Sequence, residues 1–179
     1  MMNKNKILWL TRTAVLIALL VALQWATSGL GQFVTGSCVN CVLVIAALFA
    51  GLWGGVTVAI ISPFCAFLLG IGPKLLQIVP VIAIGNLVFV LCFWFLLGRK
   101  DCKRVWAAAL TAIAASAAKF ATLYLGVVKV LIPLMGATLA QKQVQTFTAM
   151  FSWPQLVTAL IGSAVALALM PVLKKAIKQ

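Results

Sequence analysis

From residue 13 to residue 73 the chain carries no charged side chain. A helix crossing the hydrocarbon core of a bilayer needs about 20 mainly apolar residues, so this stretch has room for several crossings. The whole chain has the same character: 65% of its 179 residues are hydrophobic and 8% are charged, against about 25% charged in ordinary soluble domains. The expected class is an all-α integral membrane protein, a single transmembrane domain over 1–179.

Fourteen Lys and Arg face one acid, Asp101, for a formal charge of +13. Such a balance suggests nucleic acid only when the charges form one face. Here ten of the fourteen fall in three groups at the ends of apolar segments: Lys4, Lys6 and Arg12; Arg99, Lys100, Lys103 and Arg104; Lys174, Lys175 and Lys178. Basic residues are retained on the cytoplasmic side. Each group therefore marks a cytoplasmic point, and the charge needs no polyanionic partner. Lys4 and Lys6 before an apolar run resemble a secretory signal, but Arg12 interrupts the run and no A-x-A site follows. The run reads as a retained helix.

Six helices are expected, at about 8–28, 39–53, 55–70, 75–98, 105–131 and 146–172, with both termini cytoplasmic. The polar, Gly-containing stretch 27–32 suits an external loop. Residues 39–70 would span about 48 Å as one helix, too long for a core of about 30 Å, and Gly51-Leu52-Trp53-Gly54-Gly55 offers a turn near the middle. External turns are expected at 71–74, where Lys74 needs water, and at 137–145, which carries Gln141, Lys142, Gln143 and Gln145. No repeat at a fixed period supports a transporter built from two matched halves.

Polar side chains at membrane depth are costly and mark contacts or cavities. By distance from the helix ends, Gln24, Asn40, Gln77, Lys119, Thr122, Ser152 and Gln155 fall in the outer half and Asn86 lies near the middle. Ser116, Lys119 and Thr122 recur at a spacing of three, and Thr148, Ser152 and Gln155 at spacings of four and three, which gives two polar stripes. These residues apart from Thr148, with Trp153 beside the second stripe, are the candidate substrate-binding set. Hydroxyls and amides also join helices without binding anything. Lys119 tips the balance, because no acid in the sequence is placed to neutralise it: it is neutral, or bonds to carbonyls, or meets an anionic or carbonyl-bearing ligand. Trp25, Tyr124 and Trp153 suit an interfacial aromatic belt.

There is no His and no Glu, which removes the usual general bases and proton relays. Intramembrane proteolysis and carboxylate-coupled transport are not expected. No Walker-type loop is present, so the chain does not hydrolyse ATP itself. Cys38 and Cys41 have C-x-x-C spacing without a second pair, and read as two small buried thiols. No cofactor, catalytic residue or metal ligand is expected.

Ala14, Ala18 and Ala22 repeat every four residues and make a smooth face for another helix. At this point the chain resembles the substrate-binding S components of energy-coupling factor (ECF) vitamin transporters. The resemblance is carried by Thr11-Arg12-Thr13-Ala14 leading into Ala18, the six short-looped helices, and Gly85-Asn86 in the fourth. Lys119 in an Ala-rich fifth helix is similar to the riboflavin-type branch. The resemblance implies a multi-pass protein of the bacterial plasma membrane. It implies docking through Ala14 and Ala18 on a membrane scaffold subunit that carries two cytoplasmic ATPases. It also implies capture of a vitamin-like small molecule from outside, beneath the loop joining the first two helices. Members that take up nickel or cobalt use an N-terminal His, absent here, and a cationic substrate would want a carboxylate. A neutral or anionic organic micronutrient fits: a flavin, pterin, corrinoid or aromatic precursor. Two other classes stay open on the residues alone, a membrane enzyme acting on lipid or isoprenoid and a structural assembly protein.

Overall fold

A computed structural model describes residues 4–73, 75–98, 105–136 and 138–177. The basic loop at 99–104 with Asp101 and Cys102, as well as Lys74, Ala137 and Lys178, lie outside them. Hydrocarbon offers backbone groups no partners, so an apolar chain satisfies them within helices, and no strand occurs among the described residues. The helices are α1 (Lys4–Thr27), α2 (Gln32–Ile45), α3 (Gly51–Leu68), α4 (Ile78–Phe93), α5 (Val105–Leu123), α6 (Ile132–Met135), α7 (Gln141–Met150) and α8 (Trp153–Ile177). π-helical turns extend α2 over Ala46–Ala50 and α4 over Trp94–Gly98, and join α5 to α6 over Tyr124–Leu131.

Among the described residues five helical runs are long and apolar enough to cross a membrane: Lys6–Leu30, Gln32–Leu68, Ile78–Gly98, Val105–Met135 and Gln141–Lys175. The second, of 37 residues, is not one rod. Gly51 adopts φ +77°, ψ −176°, a conformation nearly confined to glycine, and the chain doubles back there. A Cβ on Gly55 would lie 3.0 Å from the Cα of Ala47, eight residues earlier, where a continuous helix would put about 12 Å between them.

Several boundaries differ from expectation. The second helix starts at Gln32 rather than 39, so the stretch up to the reversal is 14 residues of α-helix and 5 of π-helix, and is not short. The fourth starts at Ile78 rather than 75, and the fifth continues to Met135 beyond its π turn. The expected sixth helix, 146–172, is two: α7 absorbs most of the supposed external polar segment, and the chain breaks at Phe151 and Ser152 before α8.

The long helices pack side by side in the order α1, α3, α4, α5, α8, α2 and back to α1. Small residues set the closest approaches. Gly162 of α8 lies against Ser37, Asn40 and Cys41 of α2, and Gly36 lies against Thr158, so these two helices run parallel. Gly85 faces Leu123, and Gly126 faces Val81, across the antiparallel pair α4 and α5. One half of the ring is filled by Leu16, Leu20, Leu43, Val44, Phe89 and Phe93. In the other half, α3 ends in a Schellman motif: Ile71 N–H donates to Ala66 O (2.8 Å) and Gly70 N–H to Phe67 O (3.0 Å), with Gly70 at φ +71°, as such caps require. This cap turns 71–73 over the ring's open end.

Candidate functional site

At that open end α1, α2, α3, α4, α5 and α8 all contribute to a cavity of about 260 Å³, bordered by the connections at 28–31 and 71–73 and by Met150 and Phe151. The far end of the ring holds the start of α1, the reversal at Gly51 and the end of α4. There the Arg12 guanidinium sits 4.6 Å from the Phe49 ring centre, and a Cβ on Gly51 would lie 4.0 Å from the Trp94 ring. α8, parallel to α2, finishes toward the same end with Lys174 and Lys175. The cavity and the basic residues Arg12, Lys174 and Lys175 therefore occupy opposite ends.

Lys119 lies in the cavity wall and is 3% exposed. Its Nζ donates to Asn40 Oδ1 at 2.6 Å and to Asn86 Oδ1 at 2.7 Å, and lies 5.2 Å from the centre of the Phe89 ring. Both asparagines are buried. Asn40 Nδ2 donates to Thr158 Oγ1 (3.4 Å), whose own hydroxyl donates to Gln155 O (3.2 Å). Gln32 Nε2 (2.5 Å) and Gln155 Nε2 (3.1 Å) both donate to Met150 O, tying the start of α2 and α8 to the break after α7. Gln24 Oε1 and Ser62 Oγ, in the same wall, are buried without a hydrogen-bond partner among the described residues.

Of the residues singled out from sequence, the fold gathers Lys119, Asn86, Asn40, Gln24 and Gln155 around one cavity. The others lie elsewhere. Thr122 donates to Ala118 O and Ser152 to Thr148 O, so each hydroxyl is used within its own turn. Ser116 is buried without a hydrogen-bond partner among the described residues and off the cavity wall. Gln77 is exposed just ahead of α4. Trp153 is 62% exposed, its ring 5.6 Å from that of Phe33. Three residues advance about 300° around a helix and four about 400°. The cavity wall accordingly follows Lys119 to Leu123 and leaves Thr122 to one side. The stripe of Thr148, Ser152 and Gln155 is not one helix face, because the chain breaks at Phe151 and Ser152.

Thr158, Phe89 and Ser62 were not singled out. Thr158 continues the spacing of three from Gln155, and Phe89 stands three residues after Asn86, so both carried a readable signal. Ser62 in Ile61-Ser62-Pro63-Phe64 carried none. Cys38 and Cys41 are both free thiols, and among the described residues no group of His, Cys, Asp or Glu could hold a metal.

Outside the ring, Ala14, Ala18 and Ala22 are exposed on α1 and, with Ile17, Val21, Trp25 and Leu69, line a shallow apolar groove. Residues 9–174 match the family model described as ECF transporter, substrate-specific component. The chain belongs to this family. No curated protein and no solved structure matches it. S components are membrane-embedded substrate-binding subunits of ECF transporters, not enzymes, and work with scaffold and ATPase subunits. As an S component, the chain is a multi-pass protein of the cell membrane.

Proposed function

We propose that this S component captures a small neutral or anionic organic micronutrient, a vitamin or a relative of one, from outside the cell in the cavity around Lys119. The observation that carries this reading is a buried lysine, bonded to two asparagine oxygens and facing no acid among the described residues, in the wall of a cavity remote from the basic ends of the helices. With basic residues retained in the cytoplasm, the cavity opens outward. The doubled run Gln32–Leu68 counts as two crossings, giving six spans in one transmembrane unit with both termini inside.

Ala14, Ala18 and Ala22 form the face that docks on the scaffold, which carries two cytoplasmic ATPases. Exposed small residues let another helix approach closely in lipid, where packing rather than the hydrophobic effect drives association. Reconstitution tests the division of labour. The purified S component in proteoliposomes binds its solute but accumulates none, and ATP-dependent uptake appears when scaffold and ATPases are added. Accumulation by the isolated chain without ATP would refute the reading.

A further inference from the structure

The polar groups around the cavity are not equivalent. An ammonium has three donors; Asn40 and Asn86 take two of those on Lys119, and one is left for the cavity. The orientation of Asn40 is fixed by its other end. Thr158 Oγ1 gives its proton to Gln155 O and so accepts from Asn40 Nδ2, which leaves the Asn40 oxygen for the lysine. Two carbonyl oxygens and the face of Phe89 thus surround Nζ, contacts that offset part of the cost of burying a charge there. The sequence's single acid, Asp101, lies outside the described residues, in a connection remote from Lys119 along the chain.

Opposite Lys119 in the order of helices stands α1 with Gln24, and beside it α3 with Ser62. Gln24 Oε1 and Ser62 Oγ are the unpartnered buried oxygens on this wall. The surface between the two poles is apolar, formed by Pro63, Phe67, Val79, Ile82 and Leu123. Buried polar atoms without partners are destabilising, and an uncompensated charge more so. A ligand that corrects all three has an anionic acceptor at one end, a hydrogen-bond donor at the other and an apolar middle. The cavity, about 260 Å³, lies below the range of about 300–1,000 Å³ usual for drug-sized ligands.

Building on the importer reading above, we infer that the solute is a compact organic carboxylate: its carboxylate takes the free donor of Lys119, and an N–H or O–H at its far end reaches Gln24 Oε1 and Ser62 Oγ. A corrinoid is too large for this space, and a cationic amine is repelled by the lysine.

Two measurements on the full-length S component test this. Native mass spectrometry from detergent micelles releases the small molecule retained through purification, and carbodiimide coupling to methylamine counts its carboxylates by mass. Thermal unfolding is then followed with biotin and indole-3-acetate, which carry a carboxylate and a distal N–H, each beside its primary amide. Support is a retained molecule with a carboxylate, or stabilisation by the acids and not the amides. In Lys119→Met, affinity for the acid then falls about 10- to 150-fold, the loss of one charge-assisted hydrogen bond. Lys119→Arg, which keeps the charge, retains the preference for acids and stands in if Lys119→Met does not fold. A retained molecule without a carboxylate, or amides that bind as well as acids, overturns the inference while the importer reading survives, since a solute is still captured. A protein that is empty and answers neither acids nor amides overturns both.

Discussion

Lys119 bonds to oxygens on residues 79 and 33 positions away in the chain. Separations of that size leave no local pattern, so the lysine was legible as an anomaly in an apolar helix while its partners were not. Asn40 and Asn86 could be placed by depth, and nothing in their spacing says that they meet at one ammonium. Asn86→Leu removes one of the two acceptors and lowers stability by about 1–3 kcal/mol, read from thermal unfolding in detergent. In a Lys119→Met background the same change costs less, because the amide has already lost its partner. Ser116 and Thr122 show the opposite case. Their spacing from Lys119 suggested a shared face, yet a threonine hydroxyl in a helix can always turn to the carbonyl four residues back, and Thr122 does so.

At the scale of helices, close approach decides where the polar groups stand. Gly162 has no room for a side chain: a Cβ there would lie 2.6 Å from both Ser37 O and Asn40 Cβ. Gly162→Leu therefore pushes α8 off α2 and moves Asn40 away from Thr158, with a stability loss of about 1–3 kcal/mol and weakened solute binding by equilibrium titration. Gly29→Ala, where an added Cβ meets nothing within 4 Å, leaves unfolding unchanged and serves as the control. The turn in 51–55 was readable because three glycines cluster there, but each has its own task. Gly51 supplies the positive φ, Gly54 admits Thr13 and Gly55 admits Ala47 and Val90. Hydropathy cannot rank these roles, since they depend on what packs alongside. The break between α7 and α8 was missed for a similar reason: α8 begins with Trp153-Pro154, and Pro is as acceptable at the start of a helix as it is disruptive inside one.

For the molecule as a whole, the two proposed functional faces are separate. The cavity lies inside the ring and the alanine groove outside it, so docking and capture can be broken independently. Ala14→Trp and Ala18→Trp abolish co-purification of the scaffold and leave solute affinity intact; an undiminished complex would remove the groove from the mechanism. The orientation is open to a direct test in a variant with its native cysteines replaced. Gly29→Cys reacts with a membrane-impermeant maleimide in intact cells, whereas Lys175→Cys reacts only after permeabilisation. The reverse pattern would place the cavity inside.

By itself the sequence determined the class of protein, the membrane, and the approximate positions of the apolar helices, because hydrocarbon imposes length and charge limits that act locally on every segment. It also exposed Lys119 and the small face of α1, one by its cost in lipid and the other by its period. Which polar residues converge was decided only by the tertiary structure. Convergence depends on the order of helices around the ring and on glycine contacts a fraction of an ångström deep, and neither is written in the neighbourhood of any single residue.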